Sequence, residues 1–143
     1  MAAVVKQAAP KWAGKGVLNG EIVDMSSEMA LLRGKWVVLL FYPLDFTFVC
    51  PTELCAFSDR LGDFAAANAA VVGVSVDSEY AHLKWAQTPR AQGGLAPCAL
   101  PLLADITKDI ARAYGVLHGG AVALRGLFIV DPAGVLRHAT VND

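Results

Sequence analysis

The stretch from Lys35 to Leu54 constrains this chain more than any other. Lys35-Trp36-Val37-Val38-Leu39-Leu40-Phe41-Tyr42 is an apolar run rich in β-branched and aromatic residues. It is too short for a membrane span and predicts a strand buried on both faces. Downstream, Leu54, Phe57, Leu61 and Phe64 recur at helical spacing and predict an amphipathic helix from about Cys50 to about Asn68. Pro43, Thr47, Cys50 and Pro51 lie between the two. Proline suits a first helical turn, where its missing N–H would be unpaired anyway. Cys50 is therefore expected at or just before a helix N-terminus. Four unpaired amides and the positive end of the macrodipole favour an anion there. A thiol in that setting loses its proton readily, and the thiolate is the nucleophile.

The chain has 143 residues, which suits one domain over 1–143. With 55% hydrophobic and 17% charged residues it reads as globular rather than disordered. A net charge of −1 gives no reason to expect a nucleic acid or a membrane surface as partner. No apolar run reaches the roughly 18 residues of a transmembrane helix. The segment Met1 to Pro10 lacks the charged start and long apolar core of a signal peptide, and is too poor in Arg and Ser for a transit peptide. Three cysteines without regular spacing do not describe a secreted disulfide framework. A reducing compartment, and hence a cytoplasmic location, is the expectation.

Along the chain, Asn19-Gly20 between apolar flanks predicts a hairpin, and Ser26 to Leu32 one helical turn stopped by Gly34. Ala70 to Val76 reads as a second buried strand, and Asp77-Ser78 as the cap of a helix over about Glu79 to Gln87. Residues 88–100 form a loop, Pro101 to Asp105 a short strand, Thr107 to Tyr114 a short helix, and Val116 to Ala123 a loop. Leu124 to Val130 is a third long strand, turned by Asp131-Pro132-Ala133-Gly134 into a final antiparallel strand, Val135 to Val141. Strand–helix–strand–helix with a terminal hairpin predicts an α/β sandwich around a mixed sheet. His82, His118 and His138 stand far apart, with no Cys or carboxylate at ligand spacing, so no metal site is expected.

Phe41 to Leu54 resembles the active-site segment of the typical two-cysteine peroxiredoxins of the AhpC/TSA family. Pro43, Thr47 and Cys50 meet that family's Pro-x-x-x-Thr-x-x-Cys pattern, and Glu53 its glutamate after Cys-Pro-Thr. Ala56 to Arg60, Gly73 to Ser78, Pro101 to Asp105 and Arg125 to Asp131 are similar to family segments in the same order. The resemblance implies a thioredoxin-like α/β fold, a mixed central sheet flanked by helices, with the family's last helix and C-terminal tail missing. It implies a thiol peroxidase that reduces hydrogen peroxide and organic hydroperoxides, with thioredoxin or a similar dithiol as reductant. It implies no metal, haem or flavin, and association into homodimers or higher oligomers. Pro43, Thr47, Cys50 and Arg125 match the family's catalytic quartet, and Glu53 would orient Arg125 by a charge-assisted hydrogen bond.

In these roles Cys50 attacks a peroxide oxygen and becomes a sulfenic acid. Thr47 sets its hydroxyl beside the sulfur, Arg125 lowers the thiol pKa and meets the peroxide oxygens, and Pro43 shields the pocket. Plainer readings stand beside these. Cys50 could be a small buried hydrophobe, Thr47 a helix cap, and Arg125 a solvated charge.

The family's resolving cysteine and its second arginine belong to the tail beyond residue 143, so apolar surface on one face of the sheet is expected to stand open. Cys55 follows Cys50 at a spacing that resembles bacterioferritin-comigratory peroxiredoxins, and is either a resolver or a filler of an apolar position. Cys98 reads as structural, and a one-cysteine cycle with an external thiol is the third option. Two rival functions remain: a non-enzymatic, holdase-like or vestigial domain, and a disulfide oxidoreductase. The second needs a Cys-x-x-Cys that Cys50-Pro51-Thr52-Glu53 lacks.

Overall fold

The computed structural model describes residues 3–46 and 50–142, and for Cys50 and Pro51 the backbone alone. Its first two strands, β1 (Ala13–Leu18) and β2 (Glu21–Ser26), form the expected hairpin. Asn19 and Gly20 take positive φ at its turn, as a tight two-residue connection requires. A 3₁₀ turn at Ala30–Leu32 follows, and Gly34 at φ +72° ends it.

Strand β3 (Trp36–Phe41) is the axis of the molecule. It pairs in parallel with β4 (Ala69–Ser75), and β4 in parallel with β5 (Leu102–Ala104). Helices α1 (Cys50–Asp59) and α2 (Leu61–Ala66) make the first crossover, and α3 (Glu79–Gln87) the second. A short α4 (Asp109–Ala113) leads to β6 (Leu117–His118) and β7 (Val122–Ala123), then to β8 (Arg125–Val130) and β9 (Leu136–Asn142). The main sheet is mixed and seven-stranded, in the order β2-β1-β5-β4-β3-β8-β9.

Alternate residues of β3 feed two cores. Leu39 and Phe41 join Val72, Val74, Leu103, Ile110, Tyr114 and Phe128 on one face. Val38, Leu40 and Tyr42 join Leu54, Val71, Trp85 and Leu102 on the other. The strand is buried on both sides, as its unbroken apolar run predicts. Where β1 crosses β5, Gly16 has no room for a side chain, since a Cβ would sit 2.7 Å from the Leu102 carbonyl oxygen. An open cavity of about 590 Å³ lies over one end of the first core, with Trp12, Leu32, Val37, Leu39 and Val130 among its lining.

Two expectations are corrected. The single helix to about Asn68 is two helices, because the chain departs from helical geometry at Arg60 (φ −108°, ψ 13°), whose amide bonds the Phe57 carbonyl three residues back. Gly62, a poor helix former, follows directly. Asn68, at φ +59°, then supplies the left-handed stop. The segment Val116 to Ala123 is a small antiparallel hairpin rather than a loop, turned by Gly119 and Gly120, both at positive φ.

Candidate active site

The C-terminal ends of parallel strands collect a site because the connections leaving them open together on one edge. Here β3 ends at Phe41 and the chain passes through Tyr42 to Phe46; Cys50 is the first residue of α1. The backbone thus puts Cys50 in the first helical turn, where the sequence expects it. Thr47 lies outside the described residues. Pro43 is half-buried in the connection.

Arg125 reaches the same edge by a different route. Strand β8 runs antiparallel to β3, with Gly126 opposite Phe41, so its first residue stands beside the end of β3. Glu53, three residues after Cys50, faces it: Arg125 Nη1 lies 3.7 Å from Glu53 Oε2. That distance is an ion pair, longer than a direct hydrogen bond. Leu40, Tyr42, Glu53, Leu54 and Arg125 line a small cavity of about 10 Å³, roughly the space one water needs. The structure therefore brings the Cys50 backbone, Pro43, Glu53 and Arg125 to one edge of the sheet.

Sequence reading missed the polar cluster beneath this edge. Tyr42 Oη donates to Asp45 Oδ1 at 2.7 Å, and His82 Nδ1 lies 2.7 Å from Asp45 Oδ2. His82 Nε2 is 3.0 Å from the Leu103 carbonyl. The Asp45 amide donates to Asp77 Oδ2 at 2.8 Å, and the Ser75 hydroxyl donates to the same oxygen at 2.7 Å. All three members of the Tyr42–Asp45–His82 chain are buried. Burial raises the Asp45 carboxyl above its ordinary range, although bonds from His82 and Tyr42 oppose this. Burial, reinforced by the Asp45 charge, pushes the Tyr42 hydroxyl well up. The available signal was a histidine on the inward face of α3, three residues before buried Trp85. Ser78 caps α3 as expected, its hydroxyl accepting from the Ala81 amide at 3.1 Å.

Cys55 lies five residues along the continuous helix α1 from Cys50, about 7.5 Å of helical rise. The Cα atoms of a disulfide lie closer than about 7 Å, so this conformation does not join the two. Both Cys55 and Cys98 pack against the second core. Burial raises both thiols. The loop bearing Cys98 docks on α1 through the Ala99 amide, which donates to Ser58 Oγ at 3.0 Å. Among the described residues, no group of three His, Cys, Asp or Glu stands ready to hold a metal, and no helix is long and apolar enough to cross a membrane.

A family model described as the AhpC/TSA family matches residues 5–139. The human mitochondrial thioredoxin-dependent peroxide reductase is 54% identical over 143 residues, covering 99% of this chain and 55% of that protein. The chain thus spans about half the length of the curated relatives it matches first. The mitochondrial 2-Cys peroxiredoxin of Plasmodium falciparum superimposes with a TM-score of 0.90 at 43% identity, over 98% of this chain and 83% of that one. A Plasmodium yoelii protein, Prx1a, which forms an artifactual octamer when modified at its N-terminus, gives a TM-score of 0.90 at 40% identity, over 97% and 80% of the two chains. The expected cytoplasmic location is overturned by these matches, since the human relative and the P. falciparum neighbour are mitochondrial by name. A start without an Arg-rich leader was too weak a ground for that expectation, because this sequence spans only part of its relatives' length. By the match over nearly its whole length, and by a fold shared with 2-Cys peroxiredoxins, the chain belongs to the AhpC/TSA family.

Proposed function

We propose that this chain is the catalytic domain of a thiol peroxidase acting through Cys50. The observation that carries the reading is the meeting of a helix-starting cysteine with the Arg125–Glu53 pair at one sheet edge, in a chain of this family. The Cys50 thiolate attacks the outer oxygen of a hydroperoxide. The S–O bond forms as the O–O bond breaks, and the departing oxygen leaves as water or an alcohol after taking up a proton. The sulfur is oxidised by two electrons to a sulfenic acid. Arg125, always charged and rich in N–H donors, favours the thiolate and meets charge developing on the peroxide oxygens. Glu53 fixes its direction, Pro43 removes one N–H from the loop, and Thr47 supplies a hydroxyl near the sulfur.

The cycle closes by thiol–disulfide chemistry. A thiolate of thioredoxin or a similar dithiol attacks the sulfenic sulfur and expels water. Its second thiol then breaks the mixed disulfide and restores the Cys50 thiol. The thioredoxin-dependent relative supports this partner, and the mitochondrial relatives support a mitochondrial setting. We read the exposed apolar side chains at the same edge, Leu44, Phe46, Tyr80 and Ile106, as a surface for self-association.

Intact-protein mass spectrometry after one equivalent of hydrogen peroxide, with dimedone as trap, tests the site. The expected product is a dimedone adduct on Cys50, absent in Cys50→Ser. Loss of two hydrogens without an adduct would point to an internal disulfide, and Cys55→Ser would then identify the partner. A Cys50 that stays reduced ends the peroxidase reading.

A further inference from the structure

The cluster under the candidate active site is buried: Tyr42 is 3%, Asp45 7% and His82 0% exposed. Its hydrogen bonds fix how many protons it holds. A carbonyl oxygen only accepts, so His82 Nε2, 3.0 Å from the Leu103 carbonyl, carries hydrogen. The other ring nitrogen stands 2.7 Å from Asp45 Oδ2, where two bare lone pairs would repel. One further proton therefore lies between them, on the imidazole or on the carboxyl, and the pair is neutral as a whole. Asp45 Oδ1 takes the Tyr42 hydroxyl in either case.

The groups that face this pair come from the ends of β3, β4, β5 and β8; β1 and β2 also pack on α3. Tyr42 approaches from the end of β3, Ser75 and Asp77 from the end of β4, and the Leu103 carbonyl from β5. Arg125, from β8, shares the small cavity with Tyr42. Asp77 is already a carboxylate neighbour, bound to the Asp45 amide. Removing the shared proton would leave a second negative charge, buried and close to the first, which is costly. The loop from Tyr42 to Phe46 can relieve it by leaving its seat on β4 and α3.

We propose that Tyr42, Asp45 and His82 are positioning residues for Cys50: their single shared proton clamps the Tyr42–Phe46 loop, with Pro43 in it, against β4, β5 and α3, and loss of that proton releases it. The proposal rests on Cys50 being the reacting thiol. Asp45→Asn separates clamp from proton. The Asn side-chain N–H can donate to a neutral His82 Nδ1 while its oxygen still accepts from Tyr42, so the bonds persist with nothing acidic left.

The measurement is the rate of single-turnover oxidation of Cys50 by hydrogen peroxide, by stopped-flow fluorescence, from about pH 6 to about pH 10. The wild-type rate should rise as the thiolate forms and then fall on the alkaline side as the clamp opens. In Asp45→Asn the alkaline fall should vanish. His82→Leu, which leaves Asp45 buried without its partner, should cut the neutral-pH rate by roughly tenfold to a hundredfold. Should His82→Leu fail to fold, the Asp45→Asn profile still decides. An Asp45→Asn profile parallel to wild type, or a rate lost at every pH, overturns the proposal. If wild-type Cys50 does not react at all, the peroxidase reading fails on its own, and NMR judges the clamp. Its support would be His82 ring nitrogens and the Leu44 to Phe46 amides shifting together at one alkaline pH in the wild type and not in Asp45→Asn. Independent shifts would refute it.

Discussion

Arg125 is held at 3.7 Å by a carboxylate one helical turn past Cys50, with its side chain about one-third exposed. A guanidinium in that place can serve the sulfur as a fixed charge or the peroxide oxygens as a fork of donors. Arg125→Lys keeps the charge and removes the fork. If the fork matters, the second-order rate of Cys50 oxidation should fall by about a hundred- to a thousandfold, since one lost donor to a developing charge costs on that order. Stopped-flow oxidation by hydrogen peroxide reads it directly, and a Lys variant as fast as wild type would reduce Arg125 to a point charge. That Cys50, Pro43, Glu53 and Arg125, the residues of the proposed site, would come together was legible in the sequence because a proline-flanked cysteine after a buried strand is a local pattern, and resemblance supplied the arginine. Asp45 and His82 were not. They stand 37 residues apart, and only the packing of α3 beneath the β3 loop turns two unremarkable polar residues into a 2.7 Å pair.

At the scale of elements, the strand order and most boundaries follow from period and punctuation, whereas the irregularities do not. The break at Arg60 depends on where α2 must turn to meet β4, and the Leu117–Ala123 hairpin on two glycines that a loop would use equally well. The β8–β9 turn is the clearest case of a side chain that builds an element. Asp131 accepts from the amides of Ala133 and Val135, both at 2.9 Å, and from Arg137 Nε at 2.8 Å. The Val135 bond, then Arg137, lowers its carboxyl below the ordinary value. A folded-state pKa below the unfolded one stabilises the fold above the unfolded value, and the benefit is lost as pH falls through the folded value. Asp131→Asn should therefore lower the thermal midpoint at neutral pH, and the gap to wild type should close only as the pH falls below the ordinary carboxylate range and through the lowered folded value, where both carry an uncharged side chain. Thermal unfolding by circular dichroism across that range checks the sign; a constant gap would mean that hydrogen-bond shape, not charge, holds the turn.

For the molecule as a whole, the mixed sheet gathers at one edge both the proposed chemistry and the three most exposed large apolar side chains among the described residues, Tyr80, Ile106 and Phe46, with Leu44 beside them. Leu44 and Phe46 leave the end of β3, Tyr80 starts α3 after β4, and Ile106 follows β5; they are 37%, 51%, 72% and 60% exposed. Phe46 takes φ +61°, a backbone state that a bulky residue avoids without support. Its ring finds only Trp85 among the described aromatics, with centroids 5.9 Å apart. An exposed ring in a strained loop gains most from burial against a second surface, and an apolar patch at three adjacent strand ends offers that surface to another copy. Tyr80→Glu with Ile106→Glu places two like charges in the patch without touching either core. Sedimentation velocity should then show a smaller species than wild type at equal concentration, with unchanged circular dichroism. Because the Phe46 loop also precedes Cys50, the same variant should slow Cys50 oxidation at protein concentrations where the wild type is assembled, and the two rates should converge on dilution. An unchanged sedimentation coefficient would remove this edge as the self-association surface.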